Sequence, residues 1–212
     1  MRVRTEAKRD AIVEAAAEVF LQAGFEGASM AEIAVRVGGS KATLYGYFSS
    51  KEDLFLEVIQ YIGRRHFDPI FDSLAQHSGD LRTALQRFGE KMMQLLTDEP
   101  IVRAQRAVIA ESGRTDIGQR FFRIGPQKGL DDMARFVELQ MARGHMRQAD
   151  PMLAAQQLFA LFEVETRMPL LFGLARKVSK PRVRQAVELA VDAFLRIYAP
   201  NPPATAPAAL PA

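Results

Sequence analysis

The 212-residue chain has no cysteine, which removes disulfides and thiolate metal sites and suits a reducing compartment. It has no long apolar run either: Glu, Arg or Pro interrupts each stretch before the ~20 residues that a membrane span requires. The segment Met1 to Arg9 is polar and basic, and the apolar residues that follow are spaced by helical period, so no signal-peptide pattern is present. Chemistry-bearing motifs are equally scarce. There is no phosphate-cradling GxxxxGK(S/T), no GxSxG elbow and no His-x-x-x-His pair, and His66, His77 and His145 lie far apart. These absences leave a membrane protein, an enzyme and a metal protein without support. A soluble cytoplasmic protein with no cofactor is expected.

What the chain does have is helical periodicity from end to end. From about Phe67 onward there is no strand alternation and no repeat, and the pattern predicts an all-α protein. Helices are expected near Thr5–Ala23, from Met30, over Lys41–Phe48 and from Lys51. Further helices follow near Pro69–Ala75, Leu81–Thr97, Ile101–Ser112, Ile117–Ile124, Pro126–Arg143, Pro151–Phe172 and Lys180–Tyr198. The last stretch, APNPPATAPAALPA, is rich in Pro and Ala and too poor in large apolar groups to pack, so a disordered tail is expected over 199–212.

The most informative segment is SMAEIAVRVGGSKATLYGYFSSKEDLF, beginning at Ser29. Ser29 with Glu32 predicts a capping box ahead of Ile33, Ala34 and Val37. Gly38 and Gly39 let a second helix leave at a steep angle, with Ser40 as its cap. On that second helix Leu44 and Phe48 point inward, leaving Lys41, Ala42, Thr43, Tyr45 and Tyr47 mostly outward. A structural helix has little reason to expose phenols, whereas a major-groove helix uses hydroxyls on phosphates and bases. Ser49 and Ser50 cap the next helix and put Lys51 in its first turn, where its ammonium could join free amides in holding a phosphate.

At these residues, above all LYGYFSSKEDL, the chain resembles the tetracycline-repressor (TetR) family of bacterial transcription regulators, whose reading segment runs close to "IA…GVSKGTLYxYFxSKExL". The resemblance implies DNA-contacting roles for Ser29, Met30, Ser40, Lys41, Ala42, Thr43, Tyr45 and Tyr47, with Lys51 on the phosphate backbone. Leu44 and Phe48 match core positions. Gly39, Ala42 and Gly46 depart from the usual pattern, and Gly46 offers no side chain to the groove. A helix-turn-helix domain is thus expected over 1–50 and a helical effector-binding and dimerisation domain over 51–198. The helix starting near Lys51 is the natural lever between them. Arg2, Arg4, Lys8 and Arg9 read equally as a second DNA contact or as a solvated basic tail. Net charge, +3, is a weak witness.

Leu153 to Phe172 is apolar almost all round, and the final helix carries a matching stripe, so a four-helix bundle from two chains is the simple solution. Leu158, Phe159, Phe162, Leu189, Ala193 and Phe194 are the expected homodimer contacts. The resemblance implies the same, with two heads reading the half-sites of a palindromic operator in double-stranded DNA. The segment RAQRAVIAESGRTDIGQRFFR also resembles the C-terminal domain of a multidrug- and lipid-related subgroup. An effector cavity follows from the family, and Phe88, Met92, Leu95, Phe121, Phe122, Met133 and Phe136 suit a small hydrophobic effector. Glu163 and Arg167 interrupt the apolar helix and read as an ion pair or as a polar ligand contact. The expected function is a ligand-released repressor. A dimeric protein-interaction adaptor with a non-functional head is the alternative, and salt-dependent affinity for duplex DNA separates the two.

Overall fold

The computed structural model describes residues 5–76 and 79–200; Arg2, Arg4, His77 and the tail from Asn201 onward lie outside the described residues. Among the described residues every regular element is helical. Four helices build the head: α1 (Glu6–Gly27), α2 (Met30–Arg36), α3 (Lys41–Tyr47) and α4 (Lys51–Ile62). Each starts on a hydroxyl cap. Thr5 accepts from the Lys8 amide, Ser29 from Glu32, Ser40 from Thr43 and Ser50 from Asp53, at 3.0–3.3 Å. The Ser29 box closes only in this forward sense, since the Ser29 amide does not donate back to the Glu32 carboxylate.

Two glycines shape the head. Gly24 sits at φ +74 inside α1, where the chain bends so that Phe25 folds back onto the core. Gly38, at φ +65, ends α2, and the amides of Gly38 and Gly39 return to the carbonyls of Val35 and Ala34. The rings of Phe20, Phe25 and Phe55 meet at 4.9–6.2 Å. The head's apolar cluster runs past residue 50: Leu54, Phe55, Leu56 and Val58 of α4 belong to it, and so do Val108 and Ile117. Helix α4 is thereby shared between head and body.

A π-helical turn, Gly63–Phe67, leads into the body helices: α5 (Asp68–Ala75), α6 (Leu81–Leu96), α7 (Glu99–Glu111), α8 (Ile117–Ile124), α9 (Pro126–Ala142), α10 (Pro151–Glu163), α11 (Arg167–Leu171) and α12 (Lys180–Ile197). The body core gathers α6, α9, α10 and α12 around Phe88, Met93, Met133, Leu158, Phe162 and Phe194. The single helix expected over Pro151–Phe172 is broken at Val164–Thr166. Pro169 lacks the amide that would bond to the Glu165 carbonyl, and the Thr166 hydroxyl donates to the Phe162 carbonyl at 2.7 Å. Helix α7 packs on α1 and α8 packs on α4, which fixes the body against the head.

Candidate nucleic-acid interface and effector cavity

The outward side of α3 presents Ser40, Lys41, Ala42 and Tyr45, all exposed, with Thr43 half-buried beside them. Leu44, fully buried, and Phe48 anchor the helix from beneath. Ser40 and Thr43 hydroxyls share a hydrogen bond at 2.9 Å. Lys41 lies 5.8 Å from the Tyr45 ring centroid and makes no ion pair among the described residues, so its charge is available to an incoming phosphate. The other head cations near the turn are engaged. Lys8 donates to the Val37 carbonyl at 3.1 Å, Arg9 pairs with Glu57 at 2.7 Å and Arg36 with Glu18 at 3.1 Å.

Three of the residues expected at the DNA are engaged within the chain. Met30 is a core residue, because the capped start of α2 turns its side chain into the cluster. Tyr47 is half-buried against the same cluster, and its hydroxyl accepts from the Thr5 amide at 3.2 Å, tying the end of α3 to the start of α1. Lys51 turns inward: its ammonium donates to the carbonyls of Phe25 at 2.8 Å and Ala28 at 3.3 Å and lies 4.4 Å from the Phe25 ring centroid. Those carbonyls are left over where α1 ends, and a cation satisfies them.

Helices α4 to α11 all contribute residues to the wall of a cavity of about 1580 Å³. Of the expected ligand contacts, Met92, Phe121, Phe122, Glu163 and Arg167 line it. Phe88, Leu95, Met133 and Phe136 do not. Phe88 and Met133 are buried in the body core, with Phe88 stacked edge-on between Phe71 and Phe159, and Leu95 and Phe136 pack against that core. Phe159, expected at the dimer seam, lines the cavity instead. Sequence reasoning missed Ile101, Ala104, Gln105 and Val108, whose spacing of three and four along α7 was the available signal.

The expected dimer contacts also divide. Leu158, Phe162 and Phe194 are fully buried within the chain's own core and have no surface to offer a partner. Leu189 is 54% exposed and Ala193 is partly exposed. The large apolar residues exposed on or at the ends of the last three helices include Leu153, Val164, Met168, Phe172, Leu189 and Ile197.

Polar contacts join head to body at two places: Arg103 of α7 donates to the Leu21 carbonyl of α1 at 3.0 Å, and a charged pair links α8 to α4. Arg120 of α8 donates to the Asp53 carboxylate of α4 at 2.6 Å. The hydrogen bond from the Ser49 hydroxyl, and next that from Arg120, hold the Asp53 carboxyl below its ordinary range; the Arg120 guanidinium is raised in turn, chiefly by its bond to Asp53. Among the described residues no helix is long and apolar enough to cross a membrane.

Residues 12–58 match the bacterial regulatory proteins, tetR family, and residues 83–200 match the AefR-like transcriptional repressor, C-terminal domain. Among solved structures, a TetR-family transcriptional regulator from Mesorhizobium loti is 28% identical with a TM-score of 0.84, the match covering 93% of this chain and 100% of that one. The flavonoid-responsive regulator FrrA is 30% identical with a TM-score of 0.68, over 93% of this chain and 100% of that one. Among curated proteins, the HTH-type transcriptional activator FasR of Mycolicibacterium smegmatis is 41% identical over 75 residues, 35% of this chain and 32% of FasR. The HTH-type transcriptional regulator RutR of Escherichia coli is 45% identical over 56 residues, 26% of each chain. These curated matches therefore span a third or less of the relatives' length.

Proposed function

The chain belongs to the TetR family of bacterial transcriptional regulators, and from that premise we propose that it is a repressor that binds a palindromic operator as a homodimer and is released by a small, largely apolar effector. The observation that carries this reading is the pairing of two features in one fold. An intact capped turn-helix offers Ser40, Lys41, Ala42, Thr43 and Tyr45 to the major groove, and a cavity of about 1580 Å³ reaches Ile59, Gln60 and Ile62 on α4, the helix that the head and body share.

In this mechanism Lys41 holds a phosphate while Tyr45 and Thr43 meet phosphate or base edges and Ala42 offers a methyl against thymine. Two heads lie in successive major grooves about one helical turn apart. An effector held between α7, α8 and α10 shifts α4, and a displacement of a few ångströms between the heads prevents both half-sites from being met at once. The second copy packs on the outward apolar side of α10, α11 and α12. The phenylalanine-rich lining, with Met92 beside it, suits a flat hydrophobic molecule, as the flavonoid response of FrrA suits it too. In this reading the protein works in the cytoplasm, where its operator lies.

The test is selection from a random duplex library at stated salt. An enriched palindrome supports the reading and supplies the operator for effector screening. Absence of enrichment down to low salt, with a preparation that mass spectrometry finds free of bound small molecules, would refute DNA reading and favour a protein-interaction role.

A further inference from the structure

We propose that the cavity selects uncharged apolar molecules bearing a hydroxyl or carbonyl oxygen at one end, through a cluster formed by Arg167, Glu163 and Gln105; this rests on the effector-binding reading above. Arg167 lines the cavity yet is only 8% exposed. A buried guanidinium has to be both paired and hydrogen-bonded. Glu163, one turn earlier, takes Nη1, and the Gln105 side-chain oxygen on α7 accepts from Nε at 2.8 Å and also from Nη2. A guanidinium carries five N–H groups. One N–H on each terminal nitrogen is therefore left with no acceptor among the described residues.

The neighbours are incomplete in the same way. The Gln105 amide nitrogen donates to no described residue, and the second Glu163 oxygen accepts from none. Spare donors and a spare acceptor thus stand together on one wall, while Phe71, Met92, Phe121 and Phe159 supply apolar lining elsewhere in the cavity. An oxygen of the ligand can accept from Arg167 and Gln105, and a hydroxyl hydrogen can be given to Glu163.

Charge decides what kind of oxygen. Glu163 already neutralises Arg167, so a carboxylate brought to the free N–H groups would lie within a few ångströms of the Glu163 carboxylate, and the two like charges repel. An ammonium would face Arg167. A neutral carbonyl or hydroxyl meets neither penalty, and a hydrocarbon leaves the buried donors unmet. The other carboxylates lining the cavity are taken: Asp68 pairs with Lys128 at 2.5 Å and Asp132 pairs with Arg135. Arg64 and Arg123, exposed on the α4 side, carry no ion-pair partner among the described residues and form the competing anchor.

The experiment is displacement of Nile red from the full-length protein at pH 7.5 by four molecules sharing one scaffold: diphenylmethane, diphenylmethanol, benzophenone and diphenylacetate. Diphenylmethanol and benzophenone are expected to displace the dye at concentrations about five- to tenfold below diphenylmethane, with diphenylacetate the weakest. Glu163→Gln is expected to improve diphenylacetate about tenfold while leaving diphenylmethane unchanged. If Glu163→Gln does not fold, Gln105→Leu serves, and it should erase most of the benzophenone advantage. Diphenylacetate binding as tightly as diphenylmethanol in the wild type overturns the proposal, and loss of that binding in Arg64→Ala with Arg123→Ala would move the anchor to the α4 side. Equal displacement by diphenylmethane, or displacement by none of the four, also overturns it and leaves the cavity reading standing. Nile red that fails to bind, or that binds unchanged when Ala160→Trp fills the cavity, refutes the cavity reading itself.

Discussion

Arg120 on α8 holds the Asp53 carboxylate of α4 at 2.6 Å, and the same carboxylate accepts from the Ser49 hydroxyl just past the end of α3. Helix α8 also lines the cavity through Gly118, Gln119, Phe121 and Phe122. One short helix therefore lines the effector space and, through Asp53 in the first turn of α4, is linked to the segment that follows the reading helix. Both partners of the ion pair are partly exposed, 39% for Arg120 and 27% for Asp53, so the pair contributes only ~0.2–1 kcal/mol to stability. Arg120→Ala should leave the thermal midpoint nearly unchanged and effector affinity intact, while effector-driven release from the operator falls several-fold. Fluorescence anisotropy of labelled operator across an effector titration measures this. Full release in the variant would assign the coupling to α7, which packs on α1.

The pH dependence of that contact follows from its sign. The Asp53 carboxyl is depressed in the folded state, so the folded chain binds fewer protons there than the unfolded chain. Its stabilising contribution is complete above the ordinary carboxylate range, about pH 4, and fades as pH falls through the lower folded value. The contact should persist through neutral and mildly acid solution. Carbon-13 titration of the Asp53 carboxyl should give a midpoint below that of a free aspartate, and Ser49→Ala or Arg120→Ala should raise it. A midpoint indifferent to both changes would remove the bridge.

Lys51 and Lys41 separate structural from DNA-facing charge. The Lys51 ammonium serves the Phe25 and Ala28 carbonyls, and charged hydrogen bonds of this kind are worth about 1.5–3 kcal/mol. Lys51→Ala should lower the melting midpoint of the head and leave the salt slope of operator binding unchanged. Lys41→Ala should do the opposite, flattening that slope by about one phosphate's worth. The two slopes, measured by anisotropy over a salt series, decide the assignment; a reduced slope for Lys51→Ala would restore it to the phosphate backbone.

Much of the head was legible in the sequence because its signals are local. Ser29, Ser40 and Ser50 each cap the helix that follows, and Gly38 takes the left-handed turn. What is not legible there has one cause. Position along a helix turns Lys51 and Tyr47 outward, but the partners they have in the fold, Phe25, Ala28 and Thr5, lie 23 to 42 residues away in the chain. In the body the same limit appears more strongly. A helix apolar nearly all round has a core face, a cavity face and an outward face, and periodicity does not say which is which. Leu158 and Phe162 took the core, Phe159 and Glu163 the cavity, and Leu153 and Val164 the outside.

That division yields a test of the dimer. Leu158 is fully buried in the chain's own core, whereas Leu189 is 54% exposed on α12. Leu158→Glu should unfold the body, because an unpaired carboxylate replaces apolar packing there. Leu189→Glu should keep the fold, read by circular dichroism, and shift sedimentation from dimer to monomer. A folded Leu189→Glu dimer would place the interface on another face.

Gly89 of α6 sits where three helices converge. A Cβ built on it would lie 2.7 Å from the Phe162 ring tip and 2.8 Å from a Val187 methyl. On propensity alone, Gly89→Ala in a helix interior should stabilise by about 1 kcal/mol. Here the neighbours cannot yield, since Phe162 and Val187 are both fully buried in the body core. Overpacking of this kind costs about 1–3 kcal/mol, so the net effect of Gly89→Ala should be a lower melting midpoint, with a larger loss for Gly89→Val. Pairing Gly89→Ala with Phe162→Leu should recover part of it by removing the ring tip. A variant Gly89→Ala that melts higher than the wild type would mean that α6, α10 and α12 approach one another less closely than this packing requires.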